Sequence, residues 1–468
     1  MNIESIQLKH TLHFADIQLQ FHYHDLPITL ILGDQSSGKT SLLRFSYQAL
    51  TWFAARYKDL RTAGVVMLDQ DIMLNRLQSK LDIQVRFPEE IGGFTESPNQ
   101  QISDPQQCSW QLYKTLNSQG IGMSKVETQQ LEDMVSLYQK ALRADPLLGL
   151  PLIAYYPAER FVNDVNILNK NNPAIFQPSH AYEISAIPFT TFIRFFEWFR
   201  EISDIENAQS AQIIQNLLHP QTGSDHAHNS DAEINLFGQK LAQAQAELHA
   251  PSLRALRQAL AIILPDISNI YLQYHPKLQL MVCYQGKDML FQQLSNSVRN
   301  LVALIGDIVR RLCLLNPNSL YPCQEGDGIL LIDAIDHQLD QNMAQSILPR
   351  LNQAFPRLQI IATGNRPELL EQASRFQCLH LVNKQLFDVE TEKMQETYEQ
   401  IYQQLQLDAH ENNETKTPSL QLTEPESTTD QVQNLVQIIQ SQLNVHQQQE
   451  LIRALTPPSD ETTSSQTL

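Results

Sequence analysis

A glycine-rich octapeptide near the amino terminus has the residue types and spacing that hold phosphate. Residues 33–40 read GDQSSGKT, which fits the pattern G-x-x-x-x-G-K-[ST]. In such a loop the glycines let backbone amides face the phosphates, the lysine reaches the outer phosphates and the last hydroxyl faces Mg²⁺. We name residues 33–40 the P-loop. The predicted nucleotide contacts are Gly33, Asp34, Gln35, Ser36, Ser37, Gly38, Lys39, Thr40 and Ser41.

The elements around the P-loop fit this interpretation. PITLILG is a continuous apolar run, typical of a strand buried on both faces, and a helix is predicted from Lys39 or shortly after. The helix amino terminus adds partial positive charge at the phosphate site. A glycine turn that binds nothing is the alternative. Further along, GVVMLDQDI is predicted to be another strand.

A second candidate constellation is ILLIDAIDHQLD, residues 329–340. Four apolar residues precede Asp333, as in strands that bring a carboxylate to Mg²⁺, so Thr40 and Asp333 are the predicted metal-side residues. The alternative is an aspartate that caps a buried strand. Ala334 follows, where a glutamate often activates the attacking water. Asp336 is a weak candidate for a substitute base, since in an extended strand it would lie about 6–7 Å beyond Ala334.

Composition limits the functional class. The chain has 468 residues, a net charge of −18 and five scattered cysteines. The charge leaves DNA binding possible but unsupported, and the cysteine pattern predicts neither a disulfide framework nor a zinc site. No apolar run is long enough to span a bilayer, and the first residues do not look like a secretory signal, so a cytoplasmic protein without membrane contact is expected.

The whole pattern resembles a known family, the ABC-type ATPases of the SMC/RecF branch. The resemblance rests on the P-loop, LIAYYPAER, FFEWFREISDIEN, LSNSVRNLVALIGDIVRRL, EGDGILLIDAID and QIIATGNRPELL. The chain is most similar to a compact group of predicted ATP-binding proteins that includes ATPase subunits of Septu-type and retron-associated anti-phage systems. This resemblance implies an α/β P-loop NTPase fold, an ABC-type ATPase domain with a helical insertion and a flexible C-terminal tail.

The predicted domain division follows from the same comparison and from composition. An ATPase domain is expected over residues 1–388, with helical insertions at about 98–146 and 190–265. Residues 389–468 are expected to form a helical and low-complexity tail whose last residues are disordered, because they are polar and rich in Ser, Thr and Gln.

In the family that the chain resembles, two ATPase domains close on two nucleotides, which implies ATP and Mg²⁺ as cofactors and a homodimer. Ser295, at the start of a predicted helix, would then contact the γ-phosphate held by the opposite subunit. Asn365 stands where that family has a histidine that senses γ-phosphate, and Ser297 stands where it has a glycine. Together with Ala334, these departures affect hydrolysis or its dimeric trigger, while the residues that serve nucleotide binding remain.

The sequence therefore predicts an ATP-binding protein with weak or absent hydrolysis, which uses the nucleotide to control dimerisation or a partner. Two alternatives stay open. One is a slow but genuine ATPase that drives a nuclease partner or a DNA-related anti-phage process. The other is a scaffold for protein partners in which the P-loop no longer binds nucleotide.

Overall fold

The computed structural model describes residues 1–94, 104–117, 119–162, 176–183, 192–218 and 251–389, and of residues 212–218 only the backbone. The predicted tail, residues 389–468, lies outside this part of the chain except for Val389. In the described part, no helix is long and apolar enough to cross a membrane.

The described residues form fourteen strands and seven α-helices. The strands are β1 (Asn2–Thr11), β2 (Phe14–Gln20), β3 (Ile28–Leu32), β4 (Gln78–Arg86), β5 (Gln107–Leu116), β6 (Gly122–Glu127), β7 (Leu152–Tyr156), β8 (Ile267–Gln273), β9 (Gln279–Tyr284), β10 (Lys287–Leu290), β11 (Gly328–Ile332), β12 (Leu358–Thr363), β13 (Gln377–Val382) and β14 (Gln385–Asp388). The helices are α1 (Lys39–Lys58), α2 (Gln129–Ala144), α3 (Ile193–Leu218), α4 (Pro251–Ile263), α5 (Asn296–Leu315), α6 (Pro322–Glu325) and α7 (Gln341–Ala354).

The central layer is a six-stranded sheet in the order β14-β13-β3-β12-β11-β7. All neighbours in it are parallel except β13 and β14. Every residue of β3, β7, β11 and β12 is buried, which explains why these strands are continuous apolar runs in the sequence. Parallel pairing brings the carboxyl ends of these strands to one edge, and the P-loop and Asp333 both follow at that edge.

A second sheet is antiparallel, with five strands in the order β2-β1-β4-β5-β6. The prediction of a helical insertion at about 98–146 is wrong for the strands β5 and β6, and right only for α2 in the described residues. The polar, glutamine-rich composition hid the period-two burial of β5, whose Trp110 indole donates to Ala49 O of α1 at 3.0 Å. These strands complete a sheet that packs against the P-loop helix.

The strand predicted for GVVMLDQDI is also wrong. Val65, Val66 and Leu68 are exposed, and a short 3₁₀ turn forms over Asp69–Asp71. The carboxylate of Asp71 accepts the Leu68 N–H at 2.8 Å and thereby closes the turn. Local side-chain to backbone bonding of this kind competes with strand pairing.

Helices α3 and α4 lie within residues 190–265, where the sequence predicted a helical insertion. Helix α4 packs on α5 and α7, and the small antiparallel sheet β10-β9-β8 leads from α4 to the start of α5. The buried aromatic side chains of α3 contact this layer, with the Phe196 ring 5.4 Å from that of Phe291. These contacts of α4 and of the small sheet fix the position at which α5 begins.

Candidate functional site

The P-loop connects β3 to α1 with two glycines that no other residue replaces easily. Gly38 has φ +115° and Gly33 has φ +152°. A Cβ on Gly33 would lie 2.6 Å from Leu381 O, and one on Gly38 would overlap the His13 ring nitrogen Nε2. Glycine is therefore required at both positions by backbone angle and by space. The loop between them turns through Ser36, which has φ 63°.

Lys39, the first residue of α1, lies over the P-loop. Its Nζ donates to Gly33 O at 2.5 Å and to Asp34 O at 2.9 Å. Burial lowers the Lys39 pKa, while Asp333, Asp336 and Asp34 act in the opposite direction. The ammonium group of Lys39 therefore interacts electrostatically with the carboxylate of Asp333.

Lys384 is a second cation at the loop, and the sequence did not reveal it. It lies in the tight turn between β13 and β14, and its Nζ donates to Ser36 O and Ser37 O, both at 2.9 Å. The neighbouring Asn383 and Lys384 both have positive φ, as two-residue hairpin turns require. Two lysines therefore hold the backbone carbonyls of the P-loop.

Asp333 follows β11 directly and is 2% exposed. Its Oδ1 accepts the Thr363 hydroxyl at 2.5 Å, and that hydroxyl in turn accepts the Ala334 N–H at 2.8 Å. Its other oxygen, Oδ2, is buried and has no partner among the described residues. A buried carboxylate oxygen without a partner is costly, and such an atom fits a cation ligand.

The other predicted P-loop residues differ in their exposure. Gln35, Ser36 and Thr40 are exposed, and Ser41 is half-buried in the first turn of α1. Ser37 Oγ is buried without a partner in the described part of the chain. Together with Asp333 Oδ2, it gives this edge of the sheet two buried polar atoms without a partner among the described residues.

The turn after Asp333 departs from the extended strand that the sequence suggested. Ala334 has φ 43°, so the chain leaves β11 at once instead of continuing it. Arg160 stabilises this turn: its guanidinium donates to Asp333 O at 2.5 Å and to Ala334 O at 2.8 Å. Burial lowers the Arg160 pKa to about 10, with Asp333 and Asp336 opposing that shift.

Asp336 does not continue an extended strand from Ala334, as the sequence suggested, because β11 ends at Ile332 and Ala334 has φ 43°. Its Oδ2 accepts the backbone N–H groups of Asn365 at 2.7 Å and of Arg366 at 2.8 Å. The carboxylate is buried and fixes the turn after β12. These bonds favour a structural role for Asp336, and the exposed Asn365 side chain is thereby held at the same edge.

Ser295 is the N-cap of α5, as its position in the sequence predicted. Its Oγ accepts the Val298 N–H at 3.4 Å, and both Ser295 and Asn296 are exposed. No hydrogen bond among the described residues joins Ser295 to the P-loop. The amino terminus of α5 is thus exposed, and the first N–H groups of a helix lack partners within the helix itself.

A parallel α/β sheet with a P-loop at the carboxyl end of β3 and an aspartate at the end of β11 defines a P-loop ATPase. Such a fold implies nucleotide binding. The AAA domain family, AAA_23, matches residues 5–294, and the chain belongs to that family.

Two curated relatives are named as probable ATPases of retrons. The chain is 27% identical over 374 residues to the retron Ec83 probable ATPase of Escherichia coli, covering 73% of this chain and 64% of the relative. It is 25% identical over 373 residues to the retron Vc95 probable ATPase of Vibrio cholerae serotype O1 biovar El Tor, covering 75% of this chain and 68% of the relative. The chain thus spans less than two thirds of the length of the first of these relatives.

Among solved structures, the chain is similar to an Smc head bound to the C-winged helix domain of ScpA. The match has 12% sequence identity and a TM-score of 0.43, and it covers 85% of this chain and all of the Smc head chain.

Proposed function

We propose that this chain binds Mg²⁺–ATP at the P-loop, hydrolyses it weakly or not at all, and uses the bound nucleotide to control association with a second copy or a partner. The observation that carries the proposal is the P-loop beside a buried Asp333 oxygen that has no partner in the described part of the chain, with Ala334 instead of a glutamate after it. The P-loop would serve nucleotide binding, whereas the carboxylate absent at position 334 would have served hydrolysis.

Three side chains would hold the nucleotide and its metal. Lys39 would exchange its bonds to the Gly33 and Asp34 carbonyls for the outer phosphates. Thr40 and Asp333 would supply oxygen ligands to Mg²⁺, which takes few protein ligands and completes its shell with phosphate and water. The bound metal would neutralise phosphate charge. In the described residues, no group of three or more His, Cys, Asp or Glu side chains is arranged to hold a metal by itself.

Weak hydrolysis follows from the side chains at and near the turn after β11. Loss of a general base costs about 10²- to 10⁴-fold in rate. Ala334 has no acid–base group, and one oxygen of Asp336 is already used by two backbone N–H groups. Asn365 can donate and accept hydrogen bonds, but it cannot carry a proton or a positive charge as a histidine does.

Control of a homodimer is supported by the exposed amino terminus of α5. Backbone N–H groups at a helix amino terminus attract phosphate. Among the described residues, Ser295 makes no hydrogen bond to the P-loop of its own chain. The amino terminus of α5 could therefore contact the nucleotide that a second copy binds. On this view ATP joins two copies through Ser295, and its loss separates them.

The relatives named as retron ATPases support a role beside other proteins. We propose that the chain acts in a retron-type system, with a nuclease or another protein as partner, from a cytoplasmic location. An ATPase domain over residues 1–388 with an appended tail over 389–468 remains part of this proposal. The net charge of −18 does not support direct DNA binding.

Nucleotide titration by calorimetry tests the proposal. Wild type should bind ATP more tightly with Mg²⁺ than with EDTA, and Lys39→Ala should weaken binding about 100-fold or more, since it removes a charge-assisted contact to phosphate. Lys58→Ala, at the exposed far end of the same helix, is the matched control and should bind like wild type. Light scattering should show a dimer with ATP. No measurable affinity in wild type would favour the protein scaffold instead.

A further inference from the structure

Two turns emerge side by side at the nucleotide edge of the sheet. β7 and β11 are parallel neighbours in which Tyr156 pairs with Ile332, and Asp333 N donates to Tyr156 O at 2.9 Å. The residues that follow each strand must therefore leave the sheet next to each other. The segment Pro157–Arg160 is thus the neighbour of Asp333 and Ala334, although it is far from them in sequence.

Arg160 fastens these two turns together. It is 6% exposed, and it donates to Pro157 O at 3.0 Å in its own turn while it also donates to Asp333 O and Ala334 O in the other. Three bonds from one buried guanidinium fix the relative position of the turns. Hydrogen bonds from a charged donor contribute more than neutral ones, so this clamp is strong.

Glu159 lies in the clamped segment Pro157–Arg160. It immediately precedes Arg160, it is exposed, and within the described residues it makes no hydrogen bond or ion pair. Burial raises the Tyr155 pKa, and the negative charges of Asp333 and Glu159 act in the same direction. The two carboxylates therefore lie within electrostatic reach of one group.

We propose that Glu159 supplies the carboxylate that is missing after Asp333 and acts as the general base for the weak hydrolysis of ATP. This inference rests on the proposed function. The Glu159 carboxylate takes a proton from water as the water oxygen bonds to the γ-phosphorus. The bond from that phosphorus to the bridging oxygen breaks, and ADP leaves with the electron pair. Proton release from Glu159 then restores the carboxylate.

The neighbouring carboxylates are less suited to this role. Asp333 uses one oxygen on Thr363, and its other oxygen is the one that fits Mg²⁺. Asp336 is buried and accepts two backbone N–H groups. Glu159 alone among these three combines exposure with unused hydrogen-bonding capacity, which a base that must reach a water molecule needs.

Glu159→Gln in the full-length chain tests the assignment, because the amide keeps the shape and loses the base. The matched control is Glu89→Gln, which changes an exposed carboxylate that follows the end of β4. Three quantities are measured for each protein: the Kd for ATP, the rate of phosphate release, and the ratio of ATP to ADP bound after prolonged incubation with Mg²⁺. Circular dichroism verifies folding.

Glu159→Gln should lower phosphate release by about 100-fold, in the range for loss of a general base, and should keep the Kd within about threefold. Its bound nucleotide should remain ATP, while Glu89→Gln should behave like wild type in all three measurements. Equal phosphate release by wild type and Glu159→Gln overturns the assignment, as does wild type that binds ATP without any hydrolysis. A parallel loss of affinity in Glu159→Gln also overturns it, by making Glu159 a binding residue. Failure of wild type to bind ATP refutes the proposed function itself.

Discussion

The phosphate loop and the turn after β11 lie at the same edge of one sheet, yet they retain different parts of an ATPase. The loop keeps both glycines and Lys39, and Lys384 adds a second cation that holds its carbonyls. The turn keeps Asp333 but has Ala334 where a carboxylate would activate water. Phosphate binding depends on many backbone groups and charges, whereas water activation depends on one well-placed base. On the proposed function, nucleotide binding therefore persists while hydrolysis is weak.

The largest expected effect comes from closing the loop itself. Gly38→Ala should weaken ATP binding by about 100-fold or more, because a Cβ there overlaps His13 and φ +115° costs an L-residue about 1–2 kcal/mol. Gly120→Ala is the control, since Gly120 also has positive φ, at +76°, but a Cβ there meets nothing within 4 Å. Equal ATP affinity in both variants, measured by calorimetry, would mean that the loop is not the nucleotide site.

A smaller effect is expected on the metal side. Asp333→Asn keeps an acceptor for Thr363 but removes the charge, so the gain in ATP affinity that Mg²⁺ provides should shrink about tenfold. The readout is the ratio of the Kd in EDTA to the Kd in Mg²⁺. Asp340→Asn serves as the control, since asparagine caps a helix about as well as aspartate does, and Asp340 caps α7. An unchanged ratio in Asp333→Asn would remove this residue from the metal site.

Lys384 tests how far its bonds to the P-loop carbonyls support ATP binding. Lys384→Ala removes two bonds to P-loop carbonyls while leaving Lys39 in place, so ATP affinity should fall by about three- to tenfold. Lys287→Ala, on the exposed strand β10, is the control. An effect as large as that of Lys39→Ala would show that Lys384 contacts phosphate itself.

The smallest effect is expected from restoring the missing acid. Ala334→Glu should raise phosphate release by less than about tenfold, because Asn365 and the bonded Asp336 remain and because groups that act as one unit are not additive. Steady-state phosphate release measures it, with Ala334→Gln as the control for side-chain size. A rise of about 100-fold or more would mean that Ala334 alone limits hydrolysis.

The same two regions differ in how well their sequence predicted them. β3, the P-loop and the start of α1 at Lys39 follow from local signals: an apolar run, two glycines and a lysine at fixed spacing. The N-cap at Ser295 is equally local. These elements were predicted because each is determined by residues within a few positions of it.

The turn after β11, with Asp333 and Ala334, depends on contacts between segments that are distant in sequence. The positive φ of Ala334 is held by Arg160, and Asp333 is oriented by Thr363. Neither pairing has a local signature, so the extended strand through Asp336 was a wrong extrapolation. β5 was missed for a related reason, because its partner strand β4 and the indole bond of Trp110 to α1 outweigh its polar composition.

The most direct test of the central claim is to measure ATP affinity and steady-state phosphate release on one preparation of the full-length chain with Mg²⁺. The account predicts saturable ATP binding together with turnover well below about 1 s⁻¹, the lower end of ordinary enzyme rates. Turnover above that value would contradict the separation of binding from hydrolysis, and absence of binding would contradict the reading of Gly33–Thr40 as a nucleotide site.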